Sequence, residues 1–319
     1  MIKNRISEAI LLFMIISGFT YVRNGFTYGY PFIQSIQSLL PLVDELIVVV
    51  GNSTDNTREA IVNLNNPKIK IIDTIWDENI RTGGKIFALQ SNIGIENIKG
   101  DWAIHLQVDE ILHENDYEKI LNSIKKADLI DLVDGIIFPF YHFWGDYNHI
   151  RTTRKTHRYE IRAFKNRGCI RAYRDSQGFR KYTCPENYNS GEKGIKLNVI
   201  KSNAYIYHYS YSRNPKLMQK KDIYFKRFWH SDEYIKLNQN NETFDYNKVD
   251  KLDIFKGSHP KIMEQVIKNK DWNFVYDPSK SNMKFKHKIL FYFEKYTGYR
   301  LFEYKNYKLL KIKNFPADS

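Results

Sequence analysis

Cysteine is nearly absent: Cys169 and Cys184 are the only two in 319 residues. Two thiols cannot build a disulfide framework, and no metal-type Cys spacing exists. A reducing compartment, the cytoplasm, is the expected location. Membrane-length apolar runs are missing too. Ala9–Ile16 follows Lys3 and Arg5 and imitates a signal peptide, but it is too short to span a bilayer. Its continuation, Ser17-Gly-Phe-Thr-Tyr-Val-Arg-Asn, offers no small-residue cleavage site, so the run is read as leading into a buried first strand. Internal repeats and low-complexity tracts are absent. Acidic residues are outnumbered, 36 against 49 Lys and Arg, for a formal charge of +13. That excess calls for an acidic partner: nucleic acid, a phosphorylated small molecule or an anionic membrane surface. Yet no nucleic-acid-binding motif accompanies it, and the basic residues cluster in the tail.

What is present supports a packed fold. Hydrophobic residues make up 42%, enough for a real core and too many for wholesale disorder. The 23 Tyr and 20 Phe supply rigid packing and stacking surfaces. The length fits one large domain with an appendage.

Strand and helix patterns alternate over the first part of the chain. Leu11–Tyr21 reads as a buried strand and Gly25–Gly29 as a turn. Tyr30–Leu40 has helical spacing of Phe32, Ile33, Ile36, Leu39 and Leu40, with Pro31 suited to the opening turn. A β-branched strand follows at Asp44–Gly51, then the cap-rich Asn52–Thr57. Helix Thr57–Asn63, strand Ile69–Ile72, helix Lys85–Ile98 and strand Trp102–Val108 complete the series. Such alternation predicts an α/β fold with a largely parallel sheet between helices. Beyond it come a helix over Asp116–Lys126, strands at Asp134–Phe143, Tyr159–Phe164 and Ala204–Ser210, and loops over 165–195. From Pro215 the pattern turns helical (Leu217–Ser231, Pro260–Lys268, Lys286–Tyr296). The expected division is a catalytic domain over 1–215 and a helical, basic extension over 216–319. The last forty residues interleave Lys with aromatics, a pattern that can lie on anionic lipid.

The most informative stretch is Leu106–Glu110, Leu-Gln-Val-Asp-Glu. Two carboxylates end an apolar strand, at the sheet edge where open α/β sheets bind ligands. Oxygen donors there suit a hard divalent cation and its phosphate ligands.

The order of these pieces resembles the family 2 glycosyltransferases of the GT-A fold. The resemblance rests on Ser17–Asn24, Tyr30–Leu39, Val43–Val49, the Gly51-Asn-Ser-Thr-Asp-Asn-Thr loop and Gly94–Glu110. Tyr141–Tyr147, Glu160–Arg162, Asp175–Arg180 and Tyr207–Arg213 resemble a bacterial branch of that family. It covers about residues 14–215. It implies a mixed, mostly parallel sheet and a metal-assisted, inverting hexosyltransferase-type enzyme. Such an enzyme takes a sugar from a nucleotide-sugar donor to a hydroxyl of a glycan or lipid-linked acceptor. Peripheral contact with the inner face of a membrane would run through the tail.

Residue by residue, the resemblance makes Asp109, the last Asp of an Asp-x-Asp signature, a ligand for Mn²⁺ or Mg²⁺. Gln107 replaces the first Asp. His208 is implied as a further ligand, and an imidazole favours Mn²⁺. Thr20, Tyr21 and Asn24 line the first donor-binding turn, and Gly51, Asn52, Ser53 and Asp55 the second. Helix capping explains Asp55 equally well. The usual Glu after Asn24 is Gly25, and the Asp that commonly reads a uracil is Val50 or Gly51. Arg81 and Lys85 flank Gly83-Gly84 and are placed to meet phosphates. Asp175 is the first candidate for the base that takes the acceptor proton, with Glu160 and Asp146 behind it. Gly178 in its loop permits close backbone approach. Glu110 supports the metal site or contacts the sugar, and Trp144 and Tyr141 offer planes for sugar rings. Two rival readings are a basic nucleic-acid-binding protein and a nucleotidyltransferase. The latter lacks its Gly-rich, Lys/Arg-containing first loop.

Overall fold

The computed structural model describes residues 14–175, 178–188, 191–237 and 242–311. The apolar run before Met14, and Ser176 and Gln177 beside Asp175, lie outside the described residues. Alternation of strand and helix begins at β1 (Ile16–Val22) and α1 (Phe32–Leu39). It continues through β2 (Glu45–Gly51), α2 (Thr57–Val62), β3 (Ile69–Thr74), α3 (Lys85–Asn97) and β4 (Trp102–His105). β1 pairs in parallel with both β2 and β4, and β2 with β3. The strand order β3-β2-β1-β4 means the chain moves outward from β1 and then returns to its other side. A crevice opens at the carboxyl ends of β1 and β4, where that reversal occurs.

Every residue of β1 and β2 is buried, because helices cover both faces. Leu46, Val48 and Val50 face the core layer that holds Phe32, Ile36 and Leu39 of α1. Ile47 and Val49, one residue out of phase, face the layer that holds Ile86, Phe87 and Ile95 of α3.

The middle of the chain supplies β5 (Glu110–Leu112), α4 (Tyr117–Asp128), β6 (Gly135–Trp144), β7 (His149–Ile150) and β8 (Tyr159–Lys165). These are followed by β9 (Ile170–Ala172), β10 (Phe179–Lys181), β11 (Ile195–Lys201) and β12 (Ile206–Tyr211). β8 lies antiparallel to both β4 and β6, so the sheet is mixed. After it come α5 (Pro215–Lys226), α6 (Asp232–Leu237), β13 (Asp253–Ile254), α7 (Glu264–Lys268), α8 (Phe285–Thr297) and β14 (Tyr307–Leu309). β14 pairs in parallel with β11, so chain beyond 215 returns to the main sheet. Among the described residues, no helix is long and apolar enough to cross a membrane.

Several expectations shift. The strand expected over Trp102–Val108 stops at His105. Its sequel turns, with the Glu110 amide donating to the Gln107 carbonyl at 2.9 Å. Residues 165–195, expected as loops, contain β9 and β10. Ile170, Ala172 and Phe179 are fully buried, but each strand is only three residues long, too short to show a period. Tyr141, half-buried, has one face stacked on Tyr205, and Trp144 is buried against Tyr211; neither lines the cavity at the carboxyl ends of β1 and β4.

Phe19 is the pivot of the inner layer. It is fully buried, stacks on His105 at 4.6 Å, and sits so close to α3 that a Cβ on Gly94 would meet its ring at 2.8 Å. Phe19→Ala is expected to cost about 3–5 kcal/mol in urea unfolding. A loss under about 1 kcal/mol would contradict this packing.

Candidate active site

A cavity of about 320 Å³ lies at the carboxyl ends of β1 and β4. Tyr21, Val22 and Arg23 enter it from the end of β1, and Gln107, Val108 and Asp109 from the turn after β4. The strand pairing explains what stands beside Asp109. β5 runs antiparallel to β12 and places His208 opposite Glu110. The Tyr209 amide donates to the Asp109 carbonyl at 2.8 Å. The same strand pairs with β6 and sets His208 opposite His142.

Asp109 is 5% exposed and its carboxylate faces three basic groups. Lys221 Nζ lies 3.4 Å and Arg213 Nη2 3.6 Å from Oδ2, and His208 Nε2 lies 3.7 Å from Oδ1. Burial alone would raise the Asp109 pKa. Lys221, His208 and Arg213 outweigh it and hold the carboxyl well below its usual range. Lys221, on α5, donates to Ser210 Oγ at 2.7 Å. Burial, helped by Arg213 and opposed by Asp109, brings its ammonium down to about 7. His208 Nδ1 lies 2.9 Å from His142 Nδ1, and burial lowers the pKa of both rings.

The expected ligands Asp109 and His208 are therefore neighbours. Among the described residues, however, no group of three or more His, Cys, Asp and Glu could hold a metal ion. Gln107 brings no charge, and two cations stand against the far side of Asp109. The protein alone therefore offers no closed site for Mn²⁺ or Mg²⁺; an ion held by Asp109 and His208 would need the phosphate oxygens of a substrate to complete its shell.

Glu110 faces inward rather than to the cavity. Its two oxygens accept from Arg162 Nη2 at 2.6 Å and Nε at 2.7 Å, with both residues at most 2% exposed. The Gln107 amide donates to the same carboxylate at 3.1 Å. A sugar contact by Glu110 gives way to a role in holding the turn that carries Asp109.

Asp175 and Glu160 both line the cavity. Glu160 Oε2 is buried without a hydrogen-bond partner, and a Cβ at Gly178 would come within 2.9 Å of it. Burial, with repulsion from Glu110 and Asp175 and against the pull of Arg162, raises the Glu160 carboxyl to about 7. A Cβ on Gly84 (φ +69°) would meet Asp175 Cβ at 2.6 Å, so the Gly83-Gly84 turn packs against the Asp175 loop.

The other expected donor residues divide. Tyr21 and Gln107 line the cavity. Thr20, Asn24, Gly51, Asn52, Ser53 and Asp55 do not; most of them bind the two turns to each other. Ser53 Oγ accepts from the Asn24 amide at 3.0 Å, and Asn24 Oδ1 from the Thr54 amide at 2.7 Å. Asp55 accepts from the amides of Thr27 at 2.8 Å and Thr57 at 3.1 Å. Asn52 Oδ1 accepts from the Trp76 amide at 3.1 Å, and Gly51 leaves room for the Trp76 indole. Thr20 is buried in the sheet. Arg81 is taken up by the carbonyls of Arg227 and His230 and by Asp232, and Lys85 is exposed outside the cavity.

Sequence reasoning missed much of the wall. Trp76, Tyr224, Phe225 and Trp229 line it, and Arg23 lies over the rings of Trp76 and Tyr224 at 5.5 and 5.7 Å. Lys221 carried a legible signal: it interrupts the inward stripe Met218, Phe225, Phe228 at helical spacing, while Lys216 and Lys220 are exposed.

Solved glycosyltransferases match the chain at low similarity. S. aureus TarS (residues 1–349) gives 11% identity and a TM-score of 0.38, covering 71% of each chain. The glucosyl-3-phosphoglycerate synthase of Mycobacterium tuberculosis, in complex with Mg²⁺ and UDP, gives 18% and 0.30, covering 43% of this chain and 47% of that one. The mannosyltransferase PcManGT of Pyrobaculum calidifontis, in complex with GDP-Man and Mn²⁺, gives 16% and 0.30, covering 39% and 34%. This chain thus spans less than half of the latter two. No curated protein sequence matches. The model of the family described as Glycosyl transferase family 2 matches residues 23–183, half of the chain and the part that builds β2 to β10 and the Asp109 turn. With its mixed, mainly parallel GT-A sheet flanked by helices, the chain belongs to glycosyl transferase family 2 and is a glycosyltransferase.

Proposed function

We propose that the cavity takes a nucleotide sugar and passes its sugar, with inversion, to a hydroxyl of a glycan or lipid-linked acceptor. The observation that carries this reading is that one cavity, at the sheet's switch point, is lined by both cations and carboxyls. The base of the nucleotide stacks among Tyr21, Trp76 and Tyr224, and the diphosphate lies toward Lys221 and Asp109. The acceptor oxygen attacks the anomeric carbon as the bond to the diphosphate breaks. Asp175 takes the hydroxyl proton, and the electron pair leaves with the diphosphate, whose charge the basic side must absorb. Glu160, beside Asp175, is the second acid of the acceptor side.

With a panel of nucleotide sugars and a lipid or glycan acceptor, the enzyme should release nucleoside diphosphate. Asp175→Asn should lower kcat by about 10²–10⁴-fold with unchanged nucleoside diphosphate affinity. Full turnover by this variant would remove Asp175 from the role.

The Glu160 pKa has a stability consequence. A carboxyl held above its ordinary value of 4.5, at about 7, binds its proton more tightly in the folded state. Folding therefore loses stability as pH rises from the lower value through the higher one, and the loss is complete above it. Glu160→Gln removes that loss. The Tm advantage of the variant should grow by roughly 2–4 °C between about pH 5 and pH 8. A constant difference would refute the buried ionisation.

Contact with a membrane is proposed through α8. Phe285, Ile289, Tyr292 and Tyr296 lie on one face at 77, 55, 52 and 82% exposure, with Lys286, Lys288 and Lys295 on the same helix. The protein should sediment with vesicles containing phosphatidylglycerol and not with phosphatidylcholine alone. Phe285→Ser with Tyr296→Ser should weaken this by about tenfold. Equal binding by the double variant would rule the helix out.

A further inference from the structure

We propose that Lys221, backed by Arg213, is the cation that meets the departing diphosphate, and that Asp109 serves to hold this lysine rather than a divalent ion. The inference rests on the nucleotide-sugar reading above and deepens it.

Charge balance is the first argument. Three cationic side chains line the cavity among the described residues: Arg23, Arg162 and Lys221. Arg162 is matched by Glu110 in a closed, two-bond pair. Arg23 shares Glu78 with Arg227 at the half-exposed rim, where solvent screens all three. At Asp109 the groups are buried. Two buried cations, Lys221 at 8% and Arg213 at 3% side-chain exposure, face one buried carboxylate. Arg213 alone balances Asp109, so a protonated Lys221 leaves one positive charge over in a low-dielectric wall, and that wall fits an anion.

Unmet hydrogen-bonding capacity is the second. Arg213 Nη1 donates to the Tyr28 carbonyl at 2.6 Å, but Nε and Nη2 are buried without a hydrogen-bond partner. Lys221 uses Ser210 at 2.7 Å and reaches Asp109 only at 3.4 Å. Arg213 stands behind the cavity wall, so it is Lys221, at the cavity surface, whose unfilled donor capacity favours an acceptor-rich ligand such as a diphosphate.

The donor set is the third. A divalent ion at Asp109 would have Gln107 in place of a carboxylate, no third protein ligand among the described residues, and two cations about as close to Oδ2 as His208 is to Oδ1. In the reaction, the bond from the anomeric carbon to the diphosphate oxygen breaks. The ammonium of Lys221 then donates hydrogen bonds to the oxygens that gain charge, and no proton need move.

Calorimetric titration of the full chain with a panel of nucleoside diphosphates, in EDTA and in Mn²⁺, tests this. At least one should bind in EDTA, with affinity changed no more than about threefold by Mn²⁺. Lys221→Met should weaken it about 10–100-fold, and Lys221→Arg, which keeps the charge, should restore most of the loss. Binding that requires Mn²⁺ and is the same in parent and Lys221→Met overturns the inference and leaves the nucleotide-sugar reading standing. Failure of every nucleoside diphosphate to bind, with or without Mn²⁺, overturns both. If Lys221→Met unfolds, Lys221→Arg binding as tightly in EDTA as the parent supports the charge requirement; a loss of more than about 100-fold in this charge-retaining variant counts against it.

Discussion

The Glu110–Arg162 pair is the joint on which the site depends. Taking a carboxylate and a guanidinium out of water costs several kcal/mol each, and only good geometry offsets it. Here two short bonds join them, and the Gln107 amide adds a third to the same carboxylate. The pair spans from the turn after β4 to β8, its antiparallel neighbour. It therefore fixes the turn of residues 106–110, the start of β5, and through β5 the register of β12. Asp109 and His208 meet because that register is held. Losing either partner alone would strand a charge in the core.

The cavity divides by electrostatics. On the side of β12 and α5, cations drive the Asp109 carboxyl down and keep it ionised. On the side of β8 and the Asp175 loop, burial drives the Glu160 carboxyl up toward neutrality. Two acids in one cavity are thus pushed apart by their surroundings, the arrangement by which a site separates a fixed charge from a group that exchanges protons. The buried histidines His105 and His142 are both lowered by burial and stay neutral, so they add shape and hydrogen bonding without charge.

The strands and helices before residue 110 were readable because their periods are long and their faces wholly buried. Val48 to Val50 and the Phe32, Ile36, Leu39 stripe each state their environment locally. Asp109, Asp175 and His208 were readable as residue types at strand ends and in loops. The cavity's far wall was not, because it depends on contacts across more than a hundred residues. Lys221 meets Asp109 over 112 positions, and Arg23 meets Tyr224 over 201. Asp55 and Arg81 misled for a related reason. Each has the chemistry of a phosphate or ribose contact, but its hydrogen-bonding edge is consumed by backbone that the pattern of residues could not bring near. The three-residue strands β9 and β10 escaped because so few positions carry no period.

The tail's return to the sheet has a consequence for biosynthesis. Tyr224, Phe225 and Trp229 close the cavity, and β14 adds to β11 only once residues 307–309 exist. Translation proceeds from the other end, at roughly 5–20 residues per second. The nascent β1–β4 layer thus waits roughly 6–25 seconds for Tyr224–Trp229, with Tyr21, Phe87 and Trp76 uncovered at its rim. During that interval the growing polypeptide carries an aromatic trough that its later residues have yet to cover.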